Sequence, residues 1–159
     1  MIRTGIGYDS HRFAEGRPLV LGGVTVPHTH GLLGHSDADA VAHALTDAIL
    51  GAAAAGDIGK LFPDTDPRWK GADSLALLHE AHAVVRGKGW RFAQGDVTVI
   101  CERPKLGPHL AAMAARLGEV LGVPAEAIGL KAKTNEGMGW IGRGEGLAAI
   151  AVATLERLP

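Results

Sequence analysis

The chain has 159 residues and a formal net charge of −1, a length that suits one domain, residues 1–159, with its own core. The near-neutral charge lacks the excess of Lys and Arg typical of nucleic-acid binding, and no apolar run approaches the ~18 residues of a membrane span. The N-terminus resembles neither a signal peptide nor a transit peptide. We therefore expect a cytoplasmic protein with no nucleic-acid or membrane partner.

The first predicted elements are strands. Alternation gives the first strand an apolar face and a glycine-lined face, which carry Ile2, Thr4, Ile6 and Tyr8 on one side and Arg3, Gly5, Gly7, Asp9 and His11 on the other. We expect the glycines to leave open space above Asp9 and His11. Residues 19–21 and 24–26, joined by Gly22-Gly23, predict a hairpin.

A helix is expected to follow the hairpin. Ser36 can cap it, with Asp39 completing a capping box, and the helix is expected to end near Gly56. Its apolar stripe consists of Val41, Leu45, Ala48, Ile49 and Ala52. Asp39, His43 and Asp47 share the opposite face, so the two acids are expected to accept hydrogen bonds from the His43 ring.

The rest of the chain alternates helices and strands. The predicted elements are a helix at about 73–86, a strand at 95–102, a helix from Gly107-Pro108 to Gly122, a strand at about 128–134 and a closing strand at 147–155. This order predicts an α+β fold, a mixed sheet covered on one face by helices. Cys101, the only cysteine, cannot form an intramolecular disulfide and is expected to be packed.

The pattern Asp9-Ser10-His11 places a carboxylate and an imidazole on one side of a strand, and His43 can supply a second imidazole. Two nitrogens and one oxygen leave a tetrahedral zinc with one open position, as in catalytic sites. The alternative is a solvated polar face. His28, His30, His79, His82 and His109 lack partners at ligand spacing and are expected to be surface residues.

Two further segments could bind phosphate. His35 and Ser36 stand at a predicted helix N-terminus, which favours anions, although Ser36 could equally be only a cap. The segment 131–136 ends in Thr134, Asn135 and Glu136, where Glu136 offers a hard oxygen ligand for Mg²⁺. A polar strand end is the alternative interpretation of that segment.

Together these segments resemble the 2-C-methyl-D-erythritol 2,4-cyclodiphosphate synthase family of the non-mevalonate isoprenoid pathway. The resemblance runs almost from end to end. Its motifs are Gly7-Tyr8-Asp9-Ser10-His11, residues 31–39, His43-Ala44-Leu45-Thr46-Asp47-Ala48, Gly56-Asp57-Ile58-Gly59, Phe62-Pro63-Asp64-Thr65-Asp66, residues 131–136 and Gly142-Arg143-Gly144-Glu145-Gly146. It implies a phosphorus–oxygen lyase that cyclises a cytidine-diphosphate-linked methylerythritol 2-phosphate and releases CMP.

The resemblance also implies roles for residues. Asp9, His11 and His43 would bind Zn²⁺, Glu136 would help to bind Mg²⁺ or Mn²⁺, and His35 and Thr134 would be catalytic. Residues that would contact the substrate are Asp9, Ser10, His11, His35, Ser36, Asp57, Ile58, Gly59, Phe62, Pro63, Asp64, Thr65, Asp66, Cys101, Pro104, Lys105, Leu106, Gly107, Lys133, Thr134, Asn135, Glu136, Trp140 and Arg143.

The family assembles as a homotrimer with active sites between subunits and a central channel that can bind isoprenoid diphosphates. Trp140 and Arg143 match channel positions, but Trp140 stands where phenylalanine is usual, and Lys133 and Asn135 replace frequent threonines. Ala38 stands at an expected glycine, a change that the helix start is expected to tolerate.

Two other functions are alternatives. A zinc hydrolase would hold an activated water at the open metal position. A trimer that binds isoprenoid diphosphates or stores metal, without catalysis, would not require His35, Thr134 and Glu136 together.

Overall fold

Five of the seven strands form one sheet in the computed structural model, which describes residues 1–159. The strands are β1 (Ile2–Glu15), β2 (Leu19–Leu21), β3 (Val24–Val26), β4 (His30–Leu32), β5 (Trp90–Ile100), β6 (Ile128–Lys133) and β7 (Gly146–Arg157). The helices are α1 (Ala40–Ala52), α2 (Ile58–Leu61), α3 (Ser74–Gly87), α4 (Leu110–Leu121) and α5 (Gly139–Gly142). Single 3₁₀ turns occupy Pro67–Trp69, Gly107–His109 and Ala125–Ala127.

The sheet is mixed, as predicted. Its order is β4-β1-β7-β5-β6, with β5 and β6 parallel and the other neighbours antiparallel. The predicted hairpin of β2 and β3 forms a separate two-stranded ribbon. The long β1–β7 ladder pairs Asp9 with Ala149 and His11 with Leu147, which places the proposed metal ligands near the end of the ladder where β7 begins.

Helices cover only one face of the sheet. On β7, Ala149, Ala151 and Ala153 are buried on the helix side, whereas Ile150 and Val152 on the other side are exposed. The buried side belongs to one continuous core of 34 residues, so the chain is a single α+β domain, as expected. No helix is both long enough and apolar enough to cross a membrane.

The glycines of β1 do not leave open space above the strand, so that expectation was wrong. A Cβ on Gly7 would lie 1.9 Å from the Ala44 carbonyl oxygen, and one on Gly5 would lie 2.2 Å from that of Ala48. The missing side chains let α1 lie directly against the strand backbone. The close approach is what brings α1 to the Asp9 and His11 side chains.

The helix α1 begins at Ala40, and its N-cap lies three residues later than the predicted cap, Ser36. Asp39 is its N-cap and accepts a hydrogen bond from Ala42 N at 3.0 Å, whereas Ser36 caps nothing in α1. Ala38 prevents an earlier start because its φ is +59°. We expected Ala38 to stand at a helix start, where alanine is easily accommodated, but it lies before the helix in the left-handed conformation, which explains why glycine is favoured at this position.

Asp39 also fixes the hairpin. Its carboxylate accepts hydrogen bonds from Gly22 N at 2.8 Å and Gly23 N at 2.7 Å. Burial raises the pKa of Asp39 to about 6, although the three N–H donors favour the charged form. This carboxylate therefore joins the β2–β3 turn to the start of α1 and has no free oxygen for His43.

The remaining differences are local. Sequence patterning did not predict β4, α2 or α5, which have three or four residues each, and β5 begins five residues earlier than expected. The helix α4 ends at Gly122, whose φ of +71° makes a left-handed cap. His82 is buried rather than on the surface, and its Nε2 accepts a hydrogen bond from Phe92 N at 3.2 Å.

Candidate metal centre and active site

Asp9, His11 and His43 come together into one potential metal site. Asp9 and His11 project from the same side of β1, and His43 reaches them from α1. One ligand atom from each residue lies within 4.8 Å of the other two. Two imidazoles and a carboxylate are a donor set that zinc accepts, so the geometry agrees with the predicted triad.

The Asp9 carboxylate has one buried oxygen without a hydrogen-bond donor, a position that a cation could occupy. Its Oδ2 atom is buried and accepts no well-formed hydrogen bond, although His11 Nε2 lies at 2.8 Å and His43 Nδ1 at 3.3 Å. Burial alone would raise the pKa of Asp9, but the adjacent histidines outweigh it and lower that pKa. Burial alone would lower the pKa of His11, but the hydrogen bond and the charge of Asp9 outweigh burial and raise the pKa of His11.

Each imidazole presents one nitrogen to this centre and uses the other elsewhere. His11 Nδ1 lies 2.8 Å from the Leu33 carbonyl oxygen, which can only accept, so Nδ1 carries the proton and Nε2 faces Asp9. His43 directs Nδ1 to the centre and Nε2 to Ser74 Oγ at 2.7 Å. The two ring nitrogens at the centre are therefore both available as metal ligands.

The predicted partners of His43 were wrong. Asp39 bonds the hairpin, and Asp47 Oδ1 accepts a hydrogen bond from Ile58 N at 2.8 Å. The His43 ring instead contacts two hydroxyls, Ser74 Oγ and, at 3.2 Å, Ser36 Oγ. Ser74 comes from the first turn of α3 and is separated from His43 by 31 positions, so no local sequence pattern could have identified it.

A cavity of about 480 Å³ lies beside the centre. Its lining includes His11, His43, His35, Ser36, Ile58, Gly59, Phe62, Pro63 and Asp64. Apart from His43, these belong to four of the predicted substrate segments, 9–11, 35–36, 57–59 and 62–66, which the fold therefore brings together. Leu33, Gly34, Trp69 and Leu77 complete the wall, and sequence reasoning did not identify Trp69 or Leu77.

The loop that carries His35 is held from both sides. Arg17 donates hydrogen bonds to the carbonyls of Gly34 at 2.9 Å and Ser36 at 2.7 Å. The His35 ring donates from Nε2 to the Asp66 carbonyl at 3.1 Å, which leaves Nδ1 as its free nitrogen. His35 is thus fixed at the cavity wall by contacts that the sequence did not reveal.

Several predicted substrate residues do not line this cavity in the single chain. Ser10 lies on the opposite face of β1, and Asp57 caps α2 through Lys60 N at 2.9 Å. The Asp66 carboxylate binds Arg68, whose hydrogen bonds lower the pKa of Asp66. Thr65 is exposed beside it.

The segments at the ends of β5 and β6 form a different cleft, of about 670 Å³. Pro104, Lys105 and Thr134 line it together with His28, Glu102 and Arg103. The Glu102 carboxylate accepts a hydrogen bond from Asn135 N and so supports the 134–136 turn. Glu136 has a φ of +52° and an exposed side chain, and it lies outside the Asp9–His11–His43 cluster.

The other predicted residues differ in accessibility. Lys133 and Gly107 are exposed, whereas Cys101 and Leu106 are buried. Cys101 is packed in the core, as expected, and burial raises the pKa of its thiol to about 11. Trp140 is exposed, and Arg143 lines a third cleft with Arg103, His28 and His30 while pairing with Glu145 at 2.8 Å.

Comparison with known proteins gives consistent matches over the whole chain. A curated 2-C-methyl-D-erythritol 2,4-cyclodiphosphate synthase of Chromobacterium violaceum is 58% identical over 98% of each chain. A solved structure of 2C-methyl-D-erythritol-2,4-cyclodiphosphate synthase in a CDP-bound form superposes with a TM-score of 0.89 at 47% identity, over 97% of this chain and 100% of the other.

A bifunctional IspDF from Campylobacter jejuni superposes with a TM-score of 0.96 at 45% identity, covering 99% of this chain but 43% of that longer chain. The model of the YgbB family matches residues 2–156. The family model, the curated relative and the solved structures each match nearly the whole chain. The chain therefore belongs to the YgbB family.

Proposed function

We propose that the chain converts 4-diphosphocytidyl-2-C-methyl-D-erythritol 2-phosphate to 2-C-methyl-D-erythritol 2,4-cyclodiphosphate and CMP. The observation that carries this proposal is the cluster of Asp9, His11 and His43 beside a cavity that also contains His35. The curated relatives of this chain are named for the same activity. A phosphorus–oxygen lyase of isoprenoid precursor synthesis follows from the site and the family together.

The reaction is an internal phosphoryl transfer. An oxygen of the 2-phosphate forms a bond to the β-phosphorus, and the bond from that phosphorus to the bridging oxygen breaks, leaving the electron pair on CMP. Nucleophile and electrophile belong to one molecule, so catalysis depends on alignment and charge stabilisation. His35, fixed by Asp66 and the Arg17-bound loop, is placed to support the phosphates at the cavity wall.

The metal requirement is part of the proposal. Zn²⁺ bound by Asp9, His11 and His43 would polarise and align the diphosphate, and Glu136 would supply an oxygen ligand to Mg²⁺ or Mn²⁺. The segments 101–107 and 133–136 would hold the cytidine diphosphate. A relative with the same fold has been solved in a CDP-bound form, which supports a cytidine nucleotide as the ligand.

A homotrimer with shared active sites agrees with two features of the single chain. The metal cavity and the cleft of Thr134 and Lys105 are separate in one chain, so a neighbouring subunit would have to bring them together. The helix-free face of the sheet exposes Ile2, Ile6, Tyr8, Ile150 and Val152, an apolar patch of the kind that subunit interfaces cover. In such a trimer Trp140 and Arg143 would lie near a channel that accepts an isoprenoid diphosphate.

The test is to incubate the purified protein, Zn²⁺ and Mg²⁺ with the cytidylylated 2-phosphate and to follow phosphorus NMR. Cyclic diphosphate and CMP in equal amounts are expected. A linear hydrolysis product would instead identify a zinc hydrolase, and binding without turnover would identify a storage or binding protein.

We predict that Thr134→Val lowers kcat about 100-fold, the effect typical of losing one donor to a transition-state phosphoryl group. Zinc content should stay unchanged because Thr134 lies outside the ligand cluster. Thr25→Val, at an exposed position of β3, is the matched control and should keep the wild-type rate. An unchanged kcat in Thr134→Val would remove Thr134 from the catalytic residues.

We also predict that Ile6→Glu gives a monomer in sedimentation equilibrium and loses turnover while retaining bound zinc. Ile6 is 71% exposed in the single chain, and a carboxylate in a buried subunit interface is costly. Val84→Glu, on the exposed side of α3 at 40% exposure, should remain trimeric. A trimeric, active Ile6→Glu protein would show that this face is not the interface.

A further inference from the structure

A chain of three side chains leads away from the metal centre into the protein. Asp37 accepts a hydrogen bond from Ser74 Oγ and a second one from Ser74 N at 3.1 Å. Ser74 Oγ in turn lies 2.7 Å from His43 Nε2. Ser74 is fully buried and Asp37 half-buried, so water cannot easily replace either contact.

For a neutral His43 imidazole, the donor and acceptor roles in this series of hydrogen bonds have one consistent solution. A carboxylate only accepts, so the single hydroxyl proton of Ser74 points to Asp37. Ser74 Oγ must then accept from His43, which places the imidazole proton on Nε2. The lone pair of Nδ1 is left facing Asp9 Oδ2, 3.3 Å away, in the state that binds a metal ion.

The Ser36 hydroxyl is the more distant of the two hydroxyls beside His43 Nε2. Its Oγ lies 3.2 Å from Nε2, against 2.7 Å for Ser74 Oγ, and accepts a hydrogen bond from Ala38 N at 3.2 Å. Asp37 is in addition held by Asp39 N, which donates to it at 3.1 Å. The carboxylate is therefore fixed by backbone donors on two segments before it orders Ser74.

We propose that Ser74, ordered by Asp37, is a positioning residue that sets the tautomer and orientation of His43 for metal binding. Ser74 touches neither the substrate cavity nor the ligand atoms, and it acts only through the His43 ring. The proposal rests on the metal centre of the proposed function. It extends that function by assigning the support of the third ligand to α3, in place of the acids on α1.

The first test is zinc affinity by chelator competition, with no substrate present. Ser74→Ala should weaken Zn²⁺ binding about 10- to 100-fold, as loss of a hydrogen-bond partner of a metal-bound histidine does. Thr46→Val is the control because it also removes a fully buried hydroxyl, one bonded only to Ala42 O at 2.7 Å, and it should keep wild-type affinity. Equal affinity of Ser74→Ala and wild type would overturn the proposal.

A double-mutant cycle separates this chain from general destabilisation. Asp37→Ala frees the Ser74 proton to point at His43 and should weaken zinc binding by a similar factor. Both substitutions interrupt the same series of hydrogen bonds from Asp37 through Ser74 to His43. The double variant should therefore bind zinc no more weakly than the weaker-binding of the two single variants. Strictly multiplied effects would show that Asp37 and Ser74 act independently and would overturn the proposal.

The tautomer itself can be observed by ¹H–¹⁵N correlation spectra of the His43 ring in the metal-free protein at pH 8. Wild type should show the proton on Nε2, and Ser74→Ala should show a mixture; a proton on Nδ1 in wild type would overturn the proposal. The outcome is separate from the metal assignment, because a wild type that binds no zinc contradicts the proposed metal centre instead.

Discussion

Replacing His43 with alanine is expected to abolish both zinc binding and cyclisation. His43 supplies one of only three ligand atoms and is 9% exposed, and alanine offers no atom that can replace its ring nitrogen. The loss of zinc affinity should exceed the 10- to 100-fold typical of an outer hydrogen-bond partner. Metal content after dialysis and phosphorus NMR of the reaction measure the two effects.

His79→Ala is the matched control for this experiment, because His79 is an exposed histidine on α3 and should change neither measurement. Circular dichroism should show that both variants keep the native helix content. Full zinc occupancy in a folded His43→Ala protein would disprove the ligand assignment, whatever its activity.

Local pattern was sufficient to predict the main elements and to place Asp9 and His11 on the same side of a strand. Alternation in β1 placed Asp9 and His11 on one side, and the hairpin around Gly22-Gly23 and the left-handed cap at Gly122 are short-range features. In each case the deciding contacts lie within a few residues of one another. Such features can be derived from a single sequence.

The contacts that fix the site side chains are long-range, and these could not be predicted. Ser74 bonds His43 across 31 positions, Arg17 holds the loop of His35 across 17 and 19, and Glu102 holds Asn135 across 33. The helical-face argument assigned Asp39 and Asp47 to His43 because it considers one helix alone. Burial of α1 on nearly all sides gave those acids other partners on other segments.

The difference between short-range and long-range contacts also explains why the glycines of β1 were misinterpreted. A glycine beside a polar residue predicts free space only if no second element fills it. Here α1 fills it, and the Ala44 carbonyl oxygen occupies the position that a side chain on Gly7 would need. The distance between helix and strand, and so the position of His43 relative to Asp9, depends on the absence of one methyl group.

Gly7→Ala is therefore expected to damage the fold and the metal site together. The added Cβ would lie 1.9 Å from a backbone oxygen and 2.8 Å from Ala48 N, so α1 must move away from β1. Overpacking of this kind costs about 1–3 kcal/mol of unfolding free energy. Because Ala44 adjoins His43, the displacement should also weaken zinc binding, measurable by chelator competition on protein that is still folded.

Gly87→Ala is expected to stabilise the protein, in contrast to Gly7→Ala. A Cβ there would meet nothing within 4 Å, and the residue ends α3, so alanine should stabilise the protein by about 0.4–1 kcal/mol. Urea unfolding compares the two variants directly, with zinc affinity unchanged in Gly87→Ala. If Gly7→Ala kept both wild-type stability and zinc affinity, the close contact of α1 with β1 could not be what positions His43.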